Sequence, residues 1–245
     1  MQVNSVILAA EGVDFMIKGL FSYELFGNTV WITTTHVSIL IVMLLLIGFS
    51  VAANIVFKKA DPMAAPGAFQ NVVELMVEFL DGIVNGTMGE RKARKFINYI
   101  CTLFVFIIIS NFSGLLGLRP PTADYGVTFP LGIITFSLIF FNKIKHQGVG
   151  GFLKGLCDPW PIWAPINIIG DCAVPISLSL RLFANILSGT VMMALVYGLL
   201  HKIAWGWPGA LHLYFDLFSG AIQTYVFCML TMTYIADAIG DSEKI

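Results

Sequence analysis

What most limits the folds open to this chain is a set of long segments with almost no formal charge. Residues 31–57, 96–118 and 125–142 contain no Asp, Glu, Lys or Arg, and residues 162–200 and 209–236 contain only isolated ones. A helix needs about 20 apolar residues to cross the hydrocarbon of a bilayer. Only 12% of the residues are charged, whereas a soluble domain carries about 25%. The sequence therefore predicts an all-α integral membrane protein.

The chain is predicted to form a single membrane domain over residues 1–245. Its five membrane-spanning helices are expected at residues 30–58, 95–118, 125–146, 162–202 and 207–240, and the last two spans form a long hairpin. Between the first two spans, residues 67–90 carry apolar Val72, Leu75 and Phe79 at helical spacing. This pattern predicts an amphipathic helix along the membrane surface, and a helix docked on the spans fits it almost as well.

The distribution of basic residues predicts the orientation. Loops rich in lysine and arginine remain on the cytoplasmic side of a membrane. With the N-terminus outside, most of the 14 basic residues fall on the inner side, while the outer segments hold Lys18, Arg119 and Lys202. We therefore expect the N-terminus outside and the C-terminus in the cytoplasm.

Arg181 is the only charged residue between Cys172 and Leu200. A guanidinium does not lose its proton in a protein, and its insertion at the centre of a bilayer costs about 2.5 to 3.5 kcal/mol on insertion scales. This residue therefore indicates a functional site that requires a fixed positive charge. The simpler alternative is a structural ion pair with Asp171 or Asp216.

Polar residues of the last two spans form two stripes when they are placed at about 100° and about 1.5 Å per residue. The stripe on the fourth span consists of Ser177, Arg181, Asn185 and Ser188. The stripe on the fifth span consists of His212, Asp216, Ser219, Gln223, Tyr234 and Asp237, and Phe227 and Leu230 interrupt it. Asp216 and His212 are expected near the outer surface, and Asp171, Tyr234 and Asp237 near the cytoplasm.

This layout predicts two polar entries on opposite sides of the membrane with the arginine between them. A simple cation pore would need an unbroken polar line, and a fixed positive charge at its centre would repel the ion. The pattern favours transfer of a cation by an indirect route. Simpler alternatives are that Asn185 and Gln223 bond neighbouring helices, that Tyr234 and Asp237 anchor the last helix at the headgroups, and that His212 is a surface residue.

The segment PISLSLRLFANILSG, with RPPTAD upstream and Gln223 downstream, resembles subunit a of the F-type ATP synthase membrane sector of bacteria. The resemblance covers nearly the whole chain. It implies a multi-pass protein of the bacterial cell (inner, or plasma) membrane that passes H⁺ or Na⁺ to a rotating ring of c subunits. The implied partners are the c-ring, the b-subunit peripheral stalk, the rest of the F-type ATP synthase and the lipid bilayer.

The resemblance also implies roles for single residues. Arg181 would face a carboxylate of the c-ring and separate two half-channels, and Asn185 and Gln223 are expected to take part in ion translocation with it. Asp216, His212, Thr190 and Ser219 would serve the outer half-channel, and Asp171, Tyr234 and Asp237 the cytoplasmic one. The family often has a glutamate where this chain has Thr190 and a histidine where it has Asp216. We therefore hypothesise that Asp216, helped by His212 and Thr190, supplies the outer acid.

The sequence predicts no catalytic residues, no metal site, no cofactor and no nucleic-acid partner. The four cysteines lie far apart, without the paired spacing of a zinc or redox site. Residues 148–151, GVGG, are expected to form a flexible loop, because no phosphate-binding motif surrounds them. The rival class is a transporter or channel that acts alone, with Arg181 binding an anion, but no internal repeat supports it. The chain also lacks the sequence motifs of an intramembrane protease.

Overall fold

A computed structural model describes residues 19–25, 28–60, 66–116, 118–157, 160–199 and 208–240. The strands are β1 (Gly19–Leu25) and β2 (Asn28–Thr33). The helices are α1 (Thr34–Lys59), α2 (Ala68–Met88), α3 (Glu90–Phe112), α4 (Tyr125–Leu156), α5 (Ala164–Leu199), α6 (Pro208–His212) and α7 (Gly220–Ile239), and a π-helical segment, Leu213–Ser219, joins α6 to α7.

Five helices in the described ranges are long and apolar enough to cross a membrane. They are Thr34–Lys59, Glu90–Leu116, Tyr125–Leu156, Pro161–Gly198 and Gly209–Ile239. A helix satisfies its backbone hydrogen bonds within its own segment, so each of these stretches can enter lipid without further partners. The prediction of an all-α membrane protein with five spans is confirmed.

The chain enters α1 through a short antiparallel hairpin, which the sequence analysis did not predict. Strands β1 and β2 pair from Gly19 with Thr33 to Leu25 with Asn28. Helix α1 then begins at Thr34, four residues later than expected, and the Thr33 backbone N–H donates to His36 Nδ1 at 3.3 Å. The residues before Gly19 lie outside the described part of the chain.

Helix α2 has two apolar faces. One face buries Val73, Leu80 and Val84, and the helix packs against α3 and α7. The Thr87 hydroxyl reaches α7 as well, where it donates to Met229 Sδ at 3.2 Å. The other face leaves Leu75 and Phe79 largely exposed. The helix is therefore docked on the spans, and it also presents an apolar surface outward.

The third span differs from its expected form. Helix α4 continues to Leu156 instead of ending at residue 146, and Gly148, with a φ of 71°, bends it. The expectation of a flexible loop at residues 148–151 is therefore wrong, since helical structure lies on both sides of Gly148. A positive φ is accessible to glycine at little cost, which is why this residue can form the bend.

The core lies between α3, α5 and α7. Its buried side chains include Ile100, Leu103 and Ile107 of α3, Leu178 and Leu182 of α5, and Phe227, Met232 and Ile235 of α7. Helix α5 also packs closely along α4. This packing decides which face of α5 and of α7 is turned away from the protein.

Candidate functional site: an intramembrane arginine between two polar ends

The two faces of α5 have opposite environments. Leu178, Leu182 and Ile186 recur at intervals of one turn and are buried in the bundle. Arg181 lies on the other face and is exposed, next to Leu180, which is 45% exposed. The guanidinium makes no hydrogen bond or ion pair with any residue in the described part of the chain. An unpaired cation thus projects from an apolar, outward-facing helix surface.

The alternative of a structural ion pair for Arg181 does not hold among the described residues. Asp171 pairs with a different residue, since its Oδ2 lies 2.9 Å from Lys143 Nζ. Asp216 has an interaction of its own, but the partner is not Arg181. The charge of Arg181 is therefore not neutralised by either acid.

Asn185, one turn after Arg181, connects α5 to the last span. Its Nδ2 donates to Ser219 Oγ at 3.0 Å, and the same hydroxyl lies 3.3 Å from Asn185 Oδ1. Asn185 therefore bonds a neighbouring helix, as the simpler alternative held, and the bond joins it to a residue expected at the outer entry. Ser188 Oγ is turned to its own helix, where it donates to the Asn185 carbonyl.

Gln223 is buried, with 7% of its surface exposed. Its Nε2 has no hydrogen-bond partner among the described residues. A buried amide that lacks a partner is costly, by about 1 to 3 kcal/mol in protein mutational data. Its alternative role, bonding a neighbouring helix, is therefore not seen, and the amide retains unused donor capacity.

The residues expected at the cytoplasmic entry come together in the structure. Asp171, Tyr234 and Asp237 line one cavity of about 200 Å³. The Asp237 carboxylate makes no hydrogen bond or ion pair with the described residues. Lys143 also lines this cavity. We call this side of the bundle the Asp237 end.

Lys143 is the functional candidate that the sequence analysis missed. It was used only as a basic residue that indicates orientation. It lies 28 residues before Asp171, so no local motif connects the two. The only feature of the sequence that linked the two residues was their expected depth in the membrane, because Lys143 lies near the end of the third span and Asp171 near the start of the fourth.

The residues expected at the outer entry come together only in part. Asp216 lies in the π-helical segment, partly buried beside the turn that follows α3, where a Cβ on Gly114 would be 3.7 Å from its Cγ. Thr190 does not join it, because its hydroxyl donates to the Ile186 carbonyl of its own helix at 3.0 Å. The side chain of His212 lies outside the described part. We call this side the Asp216 end.

The predicted polar stripe on the fifth span requires correction. It assumed about 100° per residue throughout, but Leu213–Ser219 is π-helical, with i to i+5 hydrogen bonds and more residues per turn. Asp216 and Ser219 therefore do not have the angular positions relative to Gln223 that a regular helix would give. The interruption after Gln223 remains, because Phe227 is buried in the core.

Asn111 fixes the start of α7, where the π-helical segment ends. Its Nδ2 donates to the Gly220 carbonyl at 3.0 Å and to Thr224 Oγ1 at 3.1 Å. Its Oδ1 accepts a hydrogen bond of 2.7 Å from Thr122, in the loop between α3 and α4. One buried amide thus joins α3, this loop and α7.

Five membrane-length helices and an outward-facing arginine between two polar ends define the class: a multi-pass membrane protein with a charged intramembrane site. The profile of the family described as ATP synthase A chain matches residues 36–236. The chain belongs to this family, whose members are subunit a of ATP synthase. It is therefore an ion-translocating stator component of the membrane sector of F-type ATP synthase, and the rest of that complex is its partner.

Individual relatives agree over most of their length. The chain is 37% identical over 230 residues to "ATP synthase subunit a, sodium ion specific" of Propionigenium modestum, covering 86% of this chain and 76% of that protein. It is 35% identical over 243 residues to ATP synthase subunit a of Limosilactobacillus reuteri, covering 90% and 97%. It is 33% identical over 239 residues to that of Staphylococcus aureus strain JH9, covering 91% and 97%.

Proposed function

We propose that this chain is the ion-channel subunit in which Arg181 faces the carboxylates of a rotating c-ring and separates two offset half-channels for H⁺ or Na⁺. The observation that carries the proposal is the exposure of Arg181 on an apolar face without a partner in the described part of the chain. A fixed charge at this depth requires a counter-charge. Because the described part of the chain supplies none there, a carboxylate from another subunit is the fitting partner.

The guanidinium acts on the ring carboxylate through its field. An opposite charge within about 4 to 6 Å favours the ionised form of a carboxylate and lowers its pKa. A ring site therefore arrives loaded, releases its ion as it nears Arg181, passes in the ionised form and is loaded again on the other side. Each charge that crosses contributes about 2.3 kcal/mol per 100 mV of membrane potential, and several such steps drive the rotor toward ATP synthesis.

The two ends of the bundle supply the half-channels in this proposal. Asp171, Tyr234 and Asp237 serve the cytoplasmic one, supported by the cavity that they line together. Asp216 and Ser219 serve the outer one together with His212 and Thr190, supported by the hydrogen bond from Asn185 to Ser219. Buried Phe227 lies between the polar positions of α7 and keeps the two ends separate.

The same proposal assigns the surroundings of the protein. The N-terminus lies outside and the C-terminus in the cytoplasm of a bacterial plasma membrane. Helix α1 has only 6% of its apolar window buried within the chain, which leaves most of its surface for lipid and for the transmembrane part of the b-subunit stalk. The subunit binds no cofactor and passes only the ion.

The decisive experiment is Arg181→Ala in the whole ATP synthase complex in proteoliposomes. We expect ATP synthesis driven by an ion gradient to fall to background, while the c-ring still co-purifies. The control is Ser177→Ala, one turn away on the same exposed face, which should retain normal synthesis. Normal synthesis in the Arg181 variant would refute the proposal, and solute transport by the chain without partners would favour the rival transporter.

The ion is identified by a separate measurement. One relative is named as sodium ion specific, so ATP hydrolysis by the complex should be measured with and without NaCl at fixed pH. Strong stimulation by sodium assigns Na⁺, and its absence assigns H⁺.

A further inference from the structure

The ion pair between Lys143 and Asp171 borders two cavities. Both residues line the cavity of about 200 Å³ that contains Tyr234 and Asp237. Both also line a second cavity of about 530 Å³, whose other walls are formed by the end of α4 and the start of α5, including Gly170. We call the first cavity the inner chamber and the second the vestibule.

The bend in α4 holds Lys143 in this position. Beyond Gly148, the chain places the Phe152 ring next to Lys143, with Nζ 5.4 Å from the ring centroid. A cation at this distance from an aromatic face is attracted by the ring. The Phe152 ring also packs edge to face against Phe140 at 5.3 Å. Lys143 is therefore held by a carboxylate on one side and an aromatic face on the other.

A hydrogen bond joins the ends of α4 and α5 beside the vestibule. Asn167 Nδ2, in the first turn of α5, donates to the Leu156 carbonyl at the end of α4 at 2.9 Å. This contact keeps the two helix ends together beside the ion pair. The vestibule is therefore lined by two helices whose ends are held together.

The pair itself can open. The side chains of Lys143 and Asp171 are 26% and 40% exposed, and ion pairs that are accessible to water contribute little to stability. The Lys143 ammonium can move from the carboxylate while it keeps the Phe152 ring as a neighbour.

We propose that Lys143 and Asp171 form a gate through which ions pass between the inner chamber and the vestibule, with Asp171 exchanging Lys143 for the transported cation. The inference rests on the proposed function, because it assigns the path of the ion at the cytoplasmic end and identifies Lys143 as a positioning residue there. Lys143 supplies the competing charge that keeps the cation from remaining bound at Asp171. Among the residues that the structure describes, the titratable groups that line the two cavities are Lys143, Asp171, Tyr234 and Asp237.

The test uses Lys143→Gln in the whole complex in proteoliposomes with the ATP-forming part outward. Without the ammonium, Asp171 retains the ion, so the concentration of the coupling ion on the ATP-forming side that halves synthesis should fall several-fold. The variable is NaCl at fixed pH if sodium stimulates the enzyme, and pH at fixed potential otherwise. Lys145→Gln is the control, because Lys145 lines neither cavity and lies over the Phe141 ring.

Two further variants separate a gate from a structural role. Lys143→Arg keeps the charge and should retain the normal half-inhibitory concentration. Lys143→Gln combined with Asp171→Asn should restore it, because the retaining carboxylate is gone. A structural role would lower the rate of synthesis without moving this concentration. The gate is overturned if Lys143→Gln leaves the concentration unchanged or if the double variant does not restore it.

A bulky residue in the vestibule provides a second measurement. A Cβ at Gly170 or at Gly150 would meet no atom within 4 Å, so both positions accept a side chain, but only Gly170 lines the vestibule. Gly170→Trp should lower ion-driven synthesis several-fold with the c-ring retained, and Gly150→Trp should not. Full synthesis in Gly170→Trp would overturn the path. If only the gate proposal is wrong, Arg181→Ala is still inactive. If the proposed function is wrong, Arg181→Ala remains active.

Discussion

Gly132 of α4 lies directly against the backbone of Pro175 in α5: a Cβ built on Gly132 would be 2.7 Å from the Pro175 carbonyl oxygen and 3.3 Å from Ser179 Cβ. Only a residue without a side chain allows the two helices to approach this closely. Pro175 has no N–H, so the Asp171 carbonyl also loses its regular i+4 donor at this point. The contact fixes α5 two turns before Arg181 and hence the direction in which Arg181 projects.

Gly132→Ala should therefore destabilise the protein. The clash is with a backbone atom that cannot rotate away, and overpacking of this kind costs about 1 to 3 kcal/mol. Thermal unfolding of the detergent-solubilised complex, followed through this subunit, provides the measurement. Gly48→Ala in α1 is the matched control, because an added Cβ there meets no atom within 4 Å. An unchanged midpoint for Gly132→Ala would contradict the close packing.

Asn111→Ala should weaken the outer part of the bundle. The substitution removes the amide that joins three groups: Thr224 Oγ1 and the Gly220 carbonyl keep the hydrogen bond between them, but Thr122 Oγ1 loses its acceptor. A buried polar group that loses its partner costs about 1 to 3 kcal/mol. Ser137→Ala is the control, since the Ser137 hydroxyl donates to the Ile133 carbonyl of its own helix. Equal unfolding midpoints for the two variants would mean that the network contributes no stability.

Asp216→Asn should sharply reduce ion-driven ATP synthesis while the complex still assembles. The amide fits the space of the carboxylate but cannot carry the negative charge that the proposed outer half-channel requires. Synthesis by the reconstituted complex is the readout. Asp124→Asn is the control: Asp124 caps α4 by accepting from the Gly126 N–H at 2.9 Å, and asparagine caps a helix about equally well. Normal coupling in Asp216→Asn would remove this residue from the ion path.

Asn185 and Ser219 should show energetic coupling in a double-mutant cycle. Their side chains bond each other across α5 and the last span, and interhelical hydrogen bonds in membranes average about 0.6 kcal/mol. The unfolding free energies of Asn185→Ala, Ser219→Ala and the double variant give the coupling term. Strictly additive effects would show that the bond contributes nothing net.

The presence of each membrane-spanning helix could be predicted from the sequence more securely than its bends and its internal helical geometry. The five spans follow from the length of their apolar segments. The bend at Gly148 was mistaken for a loop because a glycine-rich stretch is typical of both. The π-helical Leu213–Ser219 has no comparable sequence signal, so the angular position of Asp216 was extrapolated from a regular helix and was wrong. The hairpin before α1 was also not predicted.

The residues of the candidate site that have a local sequence signal could be predicted, whereas contacts between residues distant in the chain could not. Arg181 is identified by sequence alone, because one cation in a long uncharged segment stands out against its surroundings. The grouping of Asp171 with Tyr234 and Asp237 followed from depth and is consistent with the shared cavity. Lys143 could not be connected with Asp171, because their contact depends on how α4 crosses α5.

The sequence by itself determined the membrane class, the number of spans and the presence of a fixed charge within one of them. These properties depend on transfer of each segment from water to lipid, which is governed by its own composition. Only the tertiary structure decided that Arg181 faces outward without a partner among the described residues and that Lys143 pairs with Asp171 at the edge of a cavity. Such relationships depend on the packing of helices that are distant in the chain, and local composition does not encode them.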